Sequence, residues 1–426
     1  MNILIDSCSY NCQNVGDLAM LMVAVSRLRE LWPAASIRVI TNAPDRIARH
    51  CGDVDTVPVR GRQQLLEERL LGRVRRWLPS GMATSLEHVE EQLVLRRPRL
   101  YLGSMRLKAA LRGRRVTEPF AFLQAIHEAD LVVVNGAGIM TDDFRESALG
   151  ILATLELAVR RGVPTAIFGQ GFGPITDPTL WQRAADVLPF VSLIGVREAT
   201  ASVPLLNALR VNPANVIVTG DDALEMAFSA LARRHRFDPY GPPKIGVNVR
   251  VASYAGVEAG ALSVVRDVLA NVARERHARM IPIPIAHHGG RMDVDTLRGL
   301  LRGLGEGDGG ASLDTPQLVI DRIGECRVMV TGSYHGAVFA LAQGIPVVTL
   351  VKSAYYDNKM KGLRQQYGAG CQIVRLDDEA LETRLSEAID RAWIDADRLQ
   401  GLLLNRTADQ IQRGREAYAR LRDVVV

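Results

Sequence analysis

Short apolar runs alternate with longer stretches whose apolar positions fall three and four apart. Ile3 to Ile5 form the first run, a polar loop covers Ser7 to Gly16, and helical spacing runs from Asp17 to Leu28. Ser36-Ile37-Arg38-Val39-Ile40 returns as a strand. Strand, helix, strand in this order predicts a parallel sheet with right-handed crossovers. The rhythm resumes at Leu131-Val132-Val133-Val134, then continues with a helix over 146–161, a strand over Pro164 to Phe168 and a helix over 178–187. Val191 to Val196 and Val216 to Thr219 are the next predicted strands. Polar and glycine-rich loops follow these strands, at the sheet edge where open parallel sheets bind ligands.

A second α/β series begins at Lys244. Its predicted strands are Ile245–Val249, Met280–Pro284, Gln317–Val319, Val328–Val330 and Pro346–Leu350, and residues 379–424 read as two helices. Between the two series, residues 231–243 combine Arg233-Arg234-His235-Arg236 with Pro239, Pro242 and Pro243, and read as a linker. The predicted fold is α/β, with two doubly wound Rossmann-like domains facing a cleft in the GT-B-like manner. The expected boundaries are 1–235 for an N-terminal domain on the acceptor side, 236–385 for a C-terminal domain on the donor side, and 386–426 for a helical tail. A basic insertion at about 60–115 breaks the rhythm, with Arg73, Arg75, Arg76 and Trp77 in one cluster and Arg96, Arg97 and Arg99 in another. It reads as a solvated helical subdomain, or as a surface for anionic lipid or a lipid-diphosphate-linked acceptor.

The length of 426 residues suits two domains, and 47% hydrophobic with 23% charged residues is ordinary globular composition. A net charge of +5 without a compact basic patch interleaved with aromatics does not describe a nucleic-acid binder. Five cysteines without a C-x-x-C pair argue against a disulfide framework and a zinc site, and fit a reducing cytoplasm. The start of the chain carries no basic stretch followed by an apolar signal core, and no uncharged apolar run reaches the ~20 residues of a spanning helix. The expected place is therefore the cytoplasm, with a peripheral contact at the inner face of the membrane.

The richest segment runs from Val328 to Val348. A buried strand ends in Gly332-Ser333-Tyr334, and His335 opens a helix whose first residues, beginning with Gly336, are small. A helix N-terminus offers free N–H groups and partial positive charge, which suits phosphate or carboxylate. An imidazole there can serve as a general acid. Downstream, Tyr355, Tyr356 and Lys359 follow the next strand, and Lys359 is a candidate cation for a phosphate. Arg197 ends one first-domain strand and Arg250 stands in the equivalent place in the second, where either could grip an anion or form an interface ion pair. At most one of His287 and His288 is expected to face the cleft. In the first domain Asp17 is the expected N-cap of its helix. Asn14, Gly16, Asp17, Asn135, Gly136 and Gly138 are candidate contacts for sugar hydroxyls or a diphosphate. Nothing matches G-x-G-x-x-G with its acidic partner, a Walker loop, H-E-x-x-H or G-x-S-x-G, so neither a nicotinamide cofactor nor a metal is expected.

Taken in order, Asn14-x-Gly16-Asp17, Asn135-Gly136-Ala137-Gly138, Gly169-Gln170-Gly171-x-Gly173-Pro174, Val196-Arg197-Glu198, Gly220-Asp221-Asp222, Gly246-Val247-Asn248-Val249-Arg250 and the His335 segment resemble the polysaccharide pyruvyltransferases over roughly residues 1–360. The resemblance implies transfer of the enolpyruvyl carbon of phosphoenolpyruvate to sugar hydroxyls, usually as a cyclic ketal, without an obligatory metal. It implies His335 as general acid, Arg197 as a carboxylate or phosphate ligand, and His287 or His288 as the family's other important histidine; Ser333, Tyr334, Gly336, Lys359, Arg250 and His288 are the candidate donor residues. The acceptor would be a glycan or a lipid-linked saccharide. One departure stands out: Ser333 occupies a position where many members carry Arg. The donor therefore stays open between phosphoenolpyruvate and another, such as a sugar nucleotide, and a non-catalytic glycan-binding scaffold is a third reading. Whether the chain forms a homo-oligomer is not settled by any exposed stripe.

Overall fold

The computed structural model describes residues 1–67, 98–110, 117–233, 241–249, 259–287 and 293–425, together with a few positions between 82 and 97. Seven parallel strands form the first sheet: β1 (Asn2–Asp6), β2 (Ser36–Thr41), β3 (Asp55–Pro58), β4 (Leu131–Asn135), β5 (Thr165–Gln170), β6 (Leu193–Val196) and β7 (Val216–Val218). Their order is β3-β2-β1-β4-β5-β6-β7, with Ile3 beside Ile37 on one side and Leu131 on the other. β1 and β4 are buried almost throughout, as expected where helices cover both faces of a parallel sheet. The chain reverses its winding between β1 and β4, so the loops after these strands border the crevice at the switch point.

The second sheet holds β8 (Lys244–Asn248), β9 (Arg279–Pro282), β10 (Val328–Thr331), β11 (Val347–Val351) and β12 (Cys371–Arg375), in the order β12-β11-β10-β8-β9. Its switch point lies between β8 and β10, and His335 follows β10 directly. The architecture is α/β with two Rossmann-like sheets.

Three sequence expectations change. Residues 317–319 belong to the helix Pro316–Gly324 rather than a strand; Thr315 caps it by accepting from the Leu318 N–H at 3.3 Å, and Pro316 supplies the preset φ of a first helical position. The cap of the first helix (Val15–Leu31) is Asn14, not Asp17; the Asn14 side chain accepts from the Gly16 and Asp17 N–H groups at 2.9 and 3.3 Å. The tail is dominated by one helix of 39 residues (Leu381–Ala419), about 58 Å long at 1.5 Å per residue, with only a short turn of helix (Leu421–Val424) after it.

That helix joins the two sheets. Leu385, Ala388, Ile389 and Ala392 pack in the second core, while Tyr418 stacks on Phe168 in the first with ring centres 3.8 Å apart. Its hydroxyl donates to Asp222 at 2.9 Å, and Asp222 also takes Arg27 at 2.6 Å. The domains meet through an apolar core as well: Val15, Ala19, Met20, Leu224 and Ala227 cluster with Val338, Phe339, Ile283 and Ile285. At about 1.5–3 kcal/mol for each fully buried large apolar side chain, this seam holds the two strand-end edges in a fixed relation. Part of the basic insertion is anchored instead by a buried ion pair. Arg62 reaches Asp6 at 2.6 Å and Tyr10 at 2.7 Å, where Thr154 also donates to Asp6. The Arg73–Trp77 cluster and much of the 231–243 linker lie outside the described residues.

Candidate functional site

Loops from both switch points close around a cavity of about 240 Å3. The first domain contributes Cys8, Ser9, Asn14, Asp17, Ala137, Ile139, Phe144, Ser147 and Arg197; the second contributes Ser333, Tyr334, His335, Tyr355, Tyr356 and Lys359. Two short contacts align the walls. Val15 N–H donates to the Ile285 carbonyl at 3.0 Å, and His287 N–H donates to the Gln13 carbonyl at 2.9 Å. Tyr355 crosses the seam further on, its hydroxyl donating to the Gly138 carbonyl at 2.9 Å.

His335 is the second residue of the helix Tyr334–Ala342, whose N-cap Ser333 makes no side-chain capping bond. That leaves the Ser333 hydroxyl on the cavity wall. The imidazole is 5% exposed and stands between two carboxylates, Nδ1 at 3.8 Å from Asp17 and Nε2 at 3.7 Å from Asp221. Both distances exceed hydrogen-bond length, and Nε2 has no hydrogen-bond partner among the described residues. Gly16 is what brings the ring so close: a Cβ there would lie 2.0 Å from His335 Cγ. Gly16 thus serves as the seat of the histidine, a role distinct from an acceptor contact.

Arg197, 1% exposed, follows β6, and its guanidinium carbon lies 4.2 Å from the centre of the Tyr334 ring. Its Nη1 reaches Asp221 at 3.3 Å, while Nη2 is buried without a hydrogen-bond partner. Burial alone would raise the Asp221 carboxyl; the facing His335 imidazole and the Arg197 guanidinium outweigh it and hold that carboxyl below the ordinary carboxylate range. Lys359 sits on the helix Ala354–Tyr367, where its amine donates to the Tyr355 hydroxyl and stands 3.6 Å from the centre of that ring. Burial first, and the Arg197 charge second, push its pKa well below the usual lysine value. The two cations converge at Gly138, whose φ of +65° suits glycine and whose added Cβ would meet Arg197 Nη2 at 1.7 Å and Lys359 Cε at 3.0 Å.

The remaining sequence candidates are placed as follows. Asn14 and Asp17 line the cavity. Asn135 is buried at the end of β4 with both amide atoms unpaired, and Gly136 packs against the Gln170 backbone. Gly336 fits against the Thr331 hydroxyl rather than facing the cavity. His287 is half-buried at the domain seam, with burial lowering its pKa, and is not a cavity residue. Arg250 and His288 lie outside the described residues.

Sequence reasoning missed Asp221 as a site residue, although Gly220-Asp221-Asp222 was visible as a strand-end motif. The partners Phe144 and Ser147 gave no signal, since both precede or open an ordinary amphipathic helix (Arg145–Val159).

The arrangement can do three things chemically. It can hold a small anion between Arg197 and Lys359. It presents a histidine whose Nε2 is free to exchange a proton. Two carboxylates flank that histidine and can balance its charge.

The polysaccharide pyruvyl transferase family model matches residues 14–352. The chain belongs to this family. No curated protein matches it. Among solved structures, it is similar to a UDP-N-acetylglucosamine 2-epimerase described as putative, from Listeria monocytogenes, at TM-score 0.56 and 11% identity over 99% of this chain and 96% of that one. The Anabaena Alr3699/HepE structure in complex with UDP aligns at TM-score 0.51 and 14% identity, covering 99% and 98%. The UDP-GlcNAc 2-epimerase of Neisseria meningitidis, bound to UDP-GlcNAc, aligns at TM-score 0.52 and 10% identity over 97% and 99%. At these identities the likeness extends to the two-domain GT-B-like fold and no further. As a member of the pyruvyl transferase family the chain is a transferase of polysaccharide biosynthesis.

Proposed function

We propose that the protein transfers a pyruvyl group from phosphoenolpyruvate to hydroxyls of a glycan or lipid-linked saccharide, with His335 as general acid. The observation that carries this is the cavity itself: about 240 Å3, with Arg197 and Lys359 converging beside a free histidine nitrogen. Phosphoenolpyruvate is small and carries a carboxylate and a phosphate. Arg197 would take one by its unpartnered Nη2 and Lys359 the other, which compensates for Ser333 where many members have Arg.

The chemistry balances with these groups. His335 Nε2 protonates the methylene carbon, and the adjacent carbon gains oxocarbenium character as an acceptor hydroxyl adds. The proton of that hydroxyl returns to His335, a second hydroxyl then displaces phosphate with cleavage of the bond between that carbon and the phosphate oxygen, its proton leaves on the phosphate, and a ketal results. Asp221 and Asp17 would stabilise the imidazolium. Asn14 and Asp17, on the first-domain wall, would meet the acceptor, and donor contacts gather on the second-domain wall with Ser333 and Tyr334. The domain spans read from the sequence, 1–235 and 236–385, belong to this division of labour. We place the reaction in the cytoplasm with peripheral contact to the membrane; free, buried cysteines are in keeping with that compartment.

A sugar-nucleotide donor is the alternative, favoured by likeness in fold to structures in complex with UDP and UDP-GlcNAc. The convergence of Arg197 and Lys359 beside His335 favours the smaller donor with two anionic groups. Calorimetry with phosphoenolpyruvate and with UDP, together with phosphate release in the presence of a glycoside acceptor, tests the choice. Phosphoenolpyruvate should bind and release phosphate, and His335→Ala should abolish release while retaining binding. Binding of UDP alone would overturn the proposal.

A further inference from the structure

The charge of the chain is divided unevenly. Residues 60–115 hold fourteen of its 52 Lys and Arg but five of its 47 Asp and Glu, a surplus of nine positive charges, so the rest of the chain is net acidic by four. Within this stretch the helix Pro98–Ala110 contains no carboxylate, and it is two-faced. Tyr101, Leu102 and Met105 turn inward to the core of Phe122, Ile126 and Leu157. Leu100 and Leu107 turn outward at 66% and 65% exposure. Seven residues apart, they share one stripe with Gly103 and Ser104, and the exposed Arg96 and Arg97 stand just before the start of the helix. The Ser104 hydroxyl donates to the Leu100 and Tyr101 carbonyls, at 3.1 and 2.8 Å, so it asks nothing of the surroundings. A Cβ on Gly103 would meet no atom within 4 Å. Of the large apolar side chains that the described residues expose, Met82, Val89, Leu100 and Leu107 belong to this insertion, against Phe190, Leu318, Ile394 and Leu402 over all the rest.

We infer that this face docks on an anionic phospholipid membrane. Leucines on an exposed stripe gain by entering the headgroup boundary, and arginines beside them gain by neutralising lipid phosphates. Either signal alone gives weak, reversible attachment; together they give a peripheral one. A soluble acidic partner would answer the arginines but leave Leu100 and Leu107 in water, and a second copy of this chain would bring like charge against like. Beside the helix a cleft of about 800 Å3 combines an apolar floor, including Leu123 and Leu157, with the arginines Arg96 and Arg161 and the carboxylate Glu128. No described helix is long and apolar enough to cross the bilayer, so attachment would be lateral. This reading explains how an acceptor carried on lipid would be met, yet it is measured without donor or acceptor and stands apart from the pyruvyl transfer.

The test is flotation of the full chain with vesicles of phosphatidylcholine alone and of one part phosphatidylglycerol to two parts phosphatidylcholine. Wild type should float with the mixed vesicles and weakly with phosphatidylcholine, and added salt should reduce but not abolish flotation. Arg96→Ala with Arg97→Ala should weaken partition by about five-fold for each arginine and flatten the salt dependence. Leu100→Ser with Leu107→Ser should weaken it at least about ten-fold while the salt dependence remains. Both variants change exposed side chains, so thermal melts should match wild type and keep the comparison clean. Equal partition on both vesicle types, or unchanged partition of either variant, would overturn the inference. So would vesicle-free self-association that the leucine variant dissolves, since the face would then join copies of the chain.

Discussion

Replacing Gly16 by Ala tests the placement of His335 without touching its chemistry. The new Cβ would lie 2.0 Å from His335 Cγ, 2.3 Å from Nδ1 and 2.4 Å from Cβ, where ordinary contact begins at 3.4 Å. The ring must therefore retreat by about 1.4 Å. Rotating the side chain cannot supply all of this, because the clash with Cβ survives any rotamer; about 1 Å must come from parting the Val15–Leu31 and Tyr334–Ala342 helices. Ala gains up to about 1 kcal/mol of helix propensity, while overpacking at such a contact costs about 1–3 kcal/mol. The net loss of stability should stay under about 2 kcal/mol, well inside the margin of a folded domain. Catalysis should suffer far more, since a displacement of about 1 Å at a reacting group costs on the order of a hundred-fold. Phosphate release with phosphoenolpyruvate and acceptor measures kcat, and urea unfolding measures stability. Gly299→Ala is the control, because its Cβ would meet nothing within 4 Å; it should leave both readouts unchanged or slightly raise stability. A Gly16→Ala protein that unfolds normally and turns over within three-fold of wild type would refute the reasoning, because the ring's position could not then matter.

Lys359→Met should raise the stability of the ligand-free protein at neutral pH while weakening phosphoenolpyruvate binding by at least about ten-fold. The folded-state pKa of Lys359 lies below its ordinary 10.5, so between the two values the unfolded chain holds the extra proton and wild-type stability climbs with pH by at most about 1.4 kcal/mol per unit. The advantage of the variant in a urea series should thus shrink as pH rises toward 10.5; an advantage that grows with pH would contradict the assignment. Tyr418→Phe removes a buried bond to Asp222, a carboxyl that burial already pushes up. A loss of about 1–3 kcal/mol is expected, and a urea midpoint equal to wild type would show that the Leu381–Ala419 helix does not rely on this tie.

Both sheets were legible because buried parallel strands write themselves as unbroken apolar runs, as in Leu131–Val134 and Val328–Val330. β3 and β12 were not, since Asp55–Pro58 and Cys371–Arg375 are sheet edges with exposed or half-buried positions and carry no such run. Gln317–Val319 failed for a related reason: three residues with an apolar pair fit either period, and the Thr315-Pro316 start signal decided for helix. The seam between the domains is invisible in sequence altogether. Val15 and Met20 read as one helix face turned to its own sheet, and only tertiary structure shows that they complete a core with Val338 and Ile285.

The site divides along the same line. Residue types at strand ends announce His335 and Arg197, because a charged side chain after an apolar run has few structural uses. Their environment depends on distances that sequence does not carry. Asp221 lies between them because β6 and β7 are neighbours, so the loop after one faces the residue after the other. With Asp221 answering only one nitrogen of Arg197, the other remains a buried donor without a partner. Such a donor costs about 1–3 kcal/mol, and Lys359 is likewise held where its charge is disfavoured. Both costs fall when an anion enters. In the proposed reaction, the carboxylate and phosphate of phosphoenolpyruvate would meet these two groups and offset both costs.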